Sequence, residues 1–152
     1  MASSIWHTIA IQGGAVRREG LAGASGIKPG HLLYVYTDEA LRVHVVAAGV
    51  LPGKLIALES PMAAASTTAA IETAYASGDT VYYAVGQPGD VYYMLLKTGE
   101  TVVKGITQLV SAGDGTLQAA TVDTSTLEGA VVGVAEEDLT ASGATRVRVR
   151  IM

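Results

Sequence analysis

Several residue types and sequence patterns are absent or scarce in this sequence, and each absence excludes a structural feature or a class of protein. No cysteine is present, so no disulfide holds the fold, and a domain of 152 residues can bury about 70% of its unfolded surface without one. The lack of cysteine fits folding in a reducing cytosol. No stretch approaches the ~18 consecutive apolar residues of a membrane helix, and the N-terminus lacks the pattern of a secretory signal. We therefore expect one domain, with no membrane partner and no leader.

Charge is also scarce, and the balance is acidic. Lys, Arg, Asp and Glu together make 16% of the residues, and the net charge is −4. An acidic chain is poorly suited to bind nucleic acid, whose phosphates favour a basic surface. Apolar residues make 49% of the chain. This content indicates either a surface covered by a partner or by further copies of the chain, or a compact β core rich in alanine and valine.

Residue types that carry catalysis or hold metals are present, but they do not form a recognisable group. The histidines are far apart and lack the short spacing of zinc ligands; they are His7, His31 and His44. Residues 136–138 are adjacent carboxylates of the kind found on a solvated turn, with no general base placed beside them. Asp114 lies between two glycines, which predicts a β-turn rather than a calcium loop. We expect no enzyme activity, no cofactor, no metal and no small-molecule substrate.

The strongest structural signal is a short sequence motif, here called a phrase, that occurs twice in the chain. Residues 78–83 read GDTVYY, and residues 89–93 read GDVYY. In each phrase a Gly-Asp turn pair precedes β-branched and aromatic residues, a composition typical of strands. Residues 86–89 read GQPG, which favours a tight turn. The pattern therefore predicts two tyrosine-bearing strands that pair as a β-hairpin.

Other segments extend this β pattern along the chain. Residues 41–45 and 145–151 alternate polar and apolar side chains with a period of two, and residues 129–135 form an apolar run with glycines, as at a barrel corner. Helix is expected only within residues 61–74, if anywhere, because a Ser-Pro pair there suits a helix start. Short strands with frequent turns predict a mainly β fold, either a small β-barrel or a sandwich of short antiparallel strands.

Two sets of residues are candidates for contacts with other molecules. Residues 1–26 are rich in glycine yet contain the only tryptophan, a residue typical of interface anchors. We predict an extended N-terminal arm over residues 1–26 and a single β domain over residues 27–152, with docking of Trp6 into its own domain as the open alternative. Arginines alternate on the last strand, where they pair with carboxylates of a neighbouring strand or with an acidic partner. The candidate contact residues are Ile5, Trp6, Ile9, Ile11, Arg146, Arg148 and Arg150.

Short turn and strand phrases follow one another in a set order within residues 28–151. They read YASGDTV at 75–81, GDV at 89–91, VKG at 103–105, LVSAGDGTL at 109–117 and VGVAE at 132–136. In that order and spacing they resemble the head decoration, or capsid cement, proteins of tailed bacteriophages. The alanine-rich residues 62–70 depart from the family pattern.

The resemblance implies a fold, an oligomeric state and a location on the virion. It implies a small β-barrel of the β-tulip type, usually a homotrimer, with no catalytic residues. Such proteins bind the major capsid protein on the outer surface of the expanded head and reinforce it, and the N-terminal arm reaches over the capsid or a neighbouring subunit. A virion protein made in the host cytoplasm is thus expected. The alternatives are a component of the phage tail or baseplate, or a host β-domain adaptor.

Overall fold

Nearly all regular structure in the described part of this chain is β. The computed structural model describes residues 9–14, 16–45, 53–60, 70–121 and 131–152. The strands within these residues are β1 (Ala10–Gln12), β2 (Val16–Leu21), β3 (Leu32–Val35), β4 (Leu41–Val43), β5 (Leu55–Ala57), β6 (Thr80–Val85), β7 (Val91–Leu96), β8 (Thr101–Val102), β9 (Gln108–Ser111), β10 (Leu117–Ala119), β11 (Val131–Ala135), β12 (Leu139–Thr140) and β13 (Thr145–Ile151).

Five strands close into a small barrel. From β7 the order runs through β10, β9, β11 and β13, and β13 pairs again with β7 from Thr145↔Leu96 to Arg150↔Val91. All of these pairings are antiparallel except that of β10 with β7, which joins Leu117 to Leu96. Each strand sends a buried apolar side chain into the barrel core: Tyr92, Leu117, Leu109, Val132 and Val147. The predicted mainly β fold with a small barrel is confirmed.

A second sheet has the strand order β2-β6-β5-β3-β4, with antiparallel neighbours throughout. Its two ends meet through a parallel bridge between Ala22, just after β2, and Leu41 at the start of β4. The Gly23 N–H donates to the Leu41 carbonyl at 2.8 Å beside this bridge. The curved sheet encloses a second core, formed by Ala22, Ile27, Leu33, Leu41, Ala57, Tyr75, Val81 and Tyr83.

Strands β3, β5 and β6 separate the two cores and are buried on both faces. Each contributes to both: Leu33, Ala57 and Tyr83 pack in the second core, and Leu32, Ile56 and Ala84 pack in the barrel core. Successive strand residues point to opposite faces, so a strand buried on both sides reads as a continuous apolar run. This explains why these strands lack the alternation that marks β13.

The two tyrosine-bearing strands are present, but they do not pair as a hairpin. β6 belongs to the second sheet and β7 to the barrel, and both edges of each strand are already occupied by other strands. The turn between them does form, because Asp90 N–H donates to the Gln87 carbonyl at 3.0 Å and Gln87 N–H donates to the Asp90 carboxylate at 3.1 Å. The predicted pairing was wrong because turn residues do not determine whether a chain returns to its own sheet or crosses to the next.

The predicted boundary between arm and domain, at residue 26, does not coincide with a boundary in the structure. β1 pairs with β7, and β2 pairs with β6 along its whole length. Ile9 is buried in the barrel core, and Ala22 is buried in the second core. Residues 10–12 and 16–21 are therefore strands of the two sheets, because strand pairing and apolar burial offset the entropy cost of ordering this glycine-rich segment. Residues 1–8 lie outside the described residues.

Two short elements complete the fold. The 3-10 helix Ala70–Glu72 lies within the region expected to hold any helix, of which residues 61–69 are outside the described part. β8 and β12 form a separate two-stranded sheet. In the described ranges, no helix has the length and apolar character needed to cross a membrane.

Candidate interaction surfaces

The predicted contact residues of the N-terminal segment lie in different environments. Ile9 is fully buried, and its N–H donates to the buried Glu59 carboxylate at 2.8 Å. Ile11, two residues on, is 45% exposed. Ile5 and Trp6 fall outside the described residues. Of this set, therefore, Ile11 is placed where another molecule can contact it, whereas Ile9 anchors the chain to its own core.

Arg146 joins three parts of the fold. The residue is only 7% exposed, and its Nε and Nη2 donate to the Pro29 carbonyl at 3.2 and 3.0 Å. It also donates to the Ile71 carbonyl and forms an ion pair with Glu72. A buried guanidinium needs such partners because an uncompensated buried charge is costly. Arg146 is thus a structural residue of this chain, a correction to its assignment as an external contact.

Arg148 and Arg150 lie on the exposed face of β13 and pair with carboxylates that follow the neighbouring strand β11. Arg148 Nη2 lies 3.3 Å from a Glu137 oxygen, and Arg150 Nε lies 2.7 Å from a Glu136 oxygen. Asp138 accepts from the Lys104 N–H at 2.8 Å. Pairing within the chain was one of the two predicted roles for these arginines, and the structure confirms it. Each carboxylate of the 136–138 run has a structural partner.

A cluster of aromatic and charged side chains covers the β3–β4 hairpin, and sequence reasoning missed it. The Arg42 guanidinium lies 4.1 Å from the centre of the Tyr36 ring, and Tyr34 contacts the same ring edge to face. An ion pair with Asp38 at 3.0 Å holds Arg42 in place. Tyrosine and arginine are enriched at binding hot spots. The signal in the sequence was the period-two spacing of the tyrosines, whereas the hairpin register that places Tyr34 opposite Arg42 is seen only in the structure.

A rigid turn after β8 exposes an isoleucine. Ile106 is 76% exposed, and Val103 beside it is also exposed. The turn is held by the Gly105 N–H, which donates to the Ala135 carbonyl at 2.8 Å, and by the Val103 N–H, which donates to the Thr107 hydroxyl at 2.9 Å. An apolar side chain held in a fixed position loses little entropy on binding.

An open pocket of about 490 Å³ lies beside β7. Burial is the main reason that the pKa of His31 is lowered to about 4; the charge of Asp114 opposes this shift, and the charges of Lys28 and Arg146 contribute to it. His31 Nδ1 accepts from the Lys28 N–H at 3.0 Å, and Asp114 accepts from the Thr116 N–H at 3.0 Å. Both side chains therefore support the pocket wall. The lining residues are Lys28, His31, Glu72, Leu95, Leu96, Lys97, Thr98, Asp114, Thr116 and Ala144.

The histidines of the described residues occupy separate sites. His44 is buried, and its Nδ1 lies 2.7 Å from the Ser111 hydroxyl oxygen. His31 lines the pocket, and His7 falls outside the described residues. Within the ranges that the structure describes, no group of three or more His, Asp or Glu side chains is placed to hold a metal ion.

Comparison with known proteins identifies a similar fold. No protein-family model matches this chain, and no curated protein sequence matches it. Among solved structures, the crystal structure of the head fiber gp8.5 N base in bacteriophage phi29 is similar, with a TM-score of 0.55 and 16% sequence identity. The match covers 91% of this chain and 95% of that chain. At this level of identity, the likeness shows that the two proteins share a fold across almost their whole lengths.

Proposed function

We propose that this chain is a structural protein of a tailed-bacteriophage head that binds the outer surface of the expanded shell and reinforces it. The observation that carries the proposal is the fold likeness to the phi29 head fiber N base across 91% of this chain. The ordered phrases that resemble head decoration proteins support the same location independently, because they rest on turn spacing and not on the fold.

The surface of the described residues suits a role in binding. Ile106 and the Tyr36–Arg42 cluster are exposed on turns and hairpins that backbone hydrogen bonds or ion pairs hold rigid. Preorganised side chains of this kind make contacts at low entropic cost. The partner in this proposal is the major capsid protein.

Repetition would make weak contacts effective on a shell. A single contact of about 4 kcal/mol corresponds to a millimolar Kd. In the homotrimer that we propose, the second and third contacts become intramolecular, so avidity rises by about 10²–10⁴. Many trimers on one lattice would then stabilise the expanded shell without any one tight site.

Co-sedimentation tests the proposal directly. Purified chain is mixed with expanded heads that lack it, with unexpanded heads and with isolated tails. We expect saturable binding to expanded heads and a higher disruption temperature for the decorated heads. Binding to tails alone would support the tail or baseplate alternative, and absence of binding to expanded heads would refute the proposal.

Trp6 is the predicted anchor of the N-terminal segment. Truncating an interface tryptophan costs about 2 kcal/mol, so Trp6→Ala should weaken head binding by roughly 30-fold. The melting temperature of the isolated protein should change little. A large fall in melting temperature would instead show that Trp6 packs into its own domain.

A further inference from the structure

The pocket beside β7 has walls that the fold holds in place. The turn formed by residues 28–31 is joined to β7 by the Leu95 N–H, which donates to the Gly30 carbonyl at 3.0 Å. The Leu32 N–H donates to the Gly115 carbonyl at 2.8 Å and joins the same turn to the loop before β10. The pocket volume of about 490 Å³ falls within the range of about 300–1,000 Å³ that is usual for small-ligand sites. A ligand would therefore meet a preformed site, which keeps the entropy cost of binding low.

The turn after β7, which carries another part of the wall, is fixed in the same way. The Lys97 N–H donates to the Leu117 carbonyl at 2.8 Å, and the Thr98 hydroxyl donates to the Gly143 carbonyl at 3.2 Å, next to Ala144 of the wall. The exposed Lys97 side chain thus extends from a backbone that is held at two points.

The charges that line the pocket leave an excess of positive charge. Lys28 and Lys97 form no ion pair with a carboxylate in the ranges that the structure describes. Of the acidic lining residues, Glu72 is paired with Arg146, whereas Asp114 forms no ion pair with a described lysine or arginine. Two unpaired lysines outweigh one such carboxylate, although the chain as a whole carries a net charge of −4. The pocket therefore favours an anion of single charge.

His31 supplies a hydrogen-bond donor in a fixed position. Its Nδ1 accepts from the Lys28 N–H at 3.0 Å, and its lowered pKa keeps the ring neutral at pH 7, so the ring proton is on Nε2. Nε2 has no acceptor in the described part of the chain, and it is not among the buried polar atoms that lack a partner. Solvent therefore reaches this N–H group, and an anionic oxygen in place of the solvent would gain a charge-assisted hydrogen bond.

The pocket is less suited to a cation. One oxygen of Asp114 already accepts from both the N–H and the hydroxyl of Thr116, and one oxygen of Glu72 is held by Arg146. A cation would also have to approach two ammonium groups that no carboxylate neutralises, and like charges repel.

We propose that this pocket binds a small carboxylate with a short apolar chain. The carboxylate accepts from His31 Nε2–H and pairs with the ammonium groups of Lys28 and Lys97, and the apolar chain lies against the leucines at 95–96. The ligand is held and released unchanged, so the expectation that the chain has no small-molecule substrate is unaffected. The inference goes beyond the proposed function and does not depend on it, because the pocket belongs to a single chain.

Three probes that share one apolar chain and differ in their head group test the site: hexanoate, hexanol and hexylammonium. Each is titrated into the full chain at pH 7 and constant ionic strength, with NMR detection. Hexanoate at millimolar concentration should shift the His31 ring signals and the Lys97 amide in a saturable way. Hexanol should bind at least tenfold more weakly, and hexylammonium should cause no saturable shift. No saturable shift with hexanoate, or equal binding of either other probe, would overturn the proposal.

Substitutions of exposed lysines distinguish a site from a general effect of charge. Lys97→Gln should weaken hexanoate binding at least threefold, and Lys97→Arg, which keeps the charge, should weaken it less than twofold. Lys104→Gln is the matched control, because Lys104 is also exposed but does not line the pocket, and it should bind hexanoate as the unaltered chain does. None of the three variants should change the melting temperature. Equal losses in Lys97→Gln and Lys104→Gln would refute the site.

The outcome for the pocket and the outcome for the head role are separable. If the chain binds expanded heads but not hexanoate, the pocket proposal fails and the head role stands. If it binds hexanoate but not heads, the head role fails and the pocket proposal stands.

Discussion

Three arginines lie two residues apart on β13 but in different environments; they are Arg146, Arg148 and Arg150. Arg148 and Arg150 are exposed and pair with carboxylates in solvent, where an ion pair contributes little. Arg146 is enclosed by carbonyls from two distant segments and by Glu72. Their contributions to stability should differ accordingly.

Replacing Arg146 should therefore destabilise the fold far more than replacing either neighbour. Arg146→Met leaves the Pro29 and Ile71 carbonyls without these donors, and we expect a loss of about 3 kcal/mol in the free energy of unfolding. Arg148→Met is the matched control and should lose no more than about 1 kcal/mol. Urea unfolding of the variants measures both values, and equal losses would contradict the structural role of Arg146.

His31 should make stability depend on pH. Its pKa is about 4 in the fold against the ordinary histidine value of 6.5, so the unfolded chain binds more protons between these values. Stability should therefore fall as the pH drops from about 6.5 towards 4. His31→Asn, whose amide oxygen can accept from the Lys28 N–H, should flatten this slope.

The measurement is urea unfolding at intervals between pH 6.5 and 4.5. The lower limit matters because the pKa values of Asp38 and Asp114 are also lowered. For Asp38 the chief cause is the Ala40 N–H; for Asp114, desolvation raises the pKa, but hydrogen bonds from Thr116 and the charge of His31 are among the effects that together lower it by more. These two carboxylates lose their contribution to stability only as the pH falls below 3.8, the ordinary pKa of aspartate. An unchanged slope in His31→Asn would assign the pH dependence to other groups.

At the scale of single elements, β11 shows why its glycine is needed. β11 pairs with both β9 and β13, and its register with β9 shifts between Val131 and Gly133. A Cβ on Gly133 would lie 2.3 Å from the Arg150 carbonyl oxygen and 2.7 Å from Val149 Cγ1. The predicted corner in residues 129–135 thus corresponds to a close backbone approach between strands of the barrel.

Gly133→Ala should therefore loosen the barrel. Because the atom in the way belongs to the backbone of β13, we expect a loss of about 3 kcal/mol in the free energy of unfolding. Gly14→Ala is the control, since no heavy atom lies within 4 Å of its Cβ position, and its effect should stay within about 1 kcal/mol. Hydrogen exchange in β11 and β13 should increase in the Gly133 variant only.

At the scale of the whole molecule, the open question is whether copies of the chain associate with one another. A chain with 49% apolar and 16% charged residues could cover surface by self-association or by internal burial. The structure shows two apolar cores, and it leaves Ile106, Leu21 and Val35 at least half exposed. Exposed apolar residues on rigid turns and edges are compatible with assembly.

The molecular mass of the protein in solution tests the prediction of a trimer. Sedimentation equilibrium should give three times the 15.6 kDa of one chain, and electron microscopy of decorated heads should show density with three-fold symmetry. A monomer in solution that also binds heads as isolated copies would contradict the trimer while leaving the head role intact.

Local chemistry determined much of this protein from the sequence alone. The period-two pattern of β13, the turns at Gly-Asp and Gly-Gln-Pro-Gly and the mainly β class all depend on interactions within a few residues, and the structure contains each of them. The small barrel was predicted on the same grounds. The role on the phage head stays a prediction.

Tertiary structure decided which strands meet. The tyrosine strands joined different sheets, residues 10–12 and 16–21 became strands of the barrel sheet and the second sheet respectively, and Arg146 turned inward while Arg148 and Arg150 stayed outside. None of this follows from local pattern, because strand partners and burial depend on residues 50 or more positions away, such as Glu59 for Ile9 and Pro29 for Arg146.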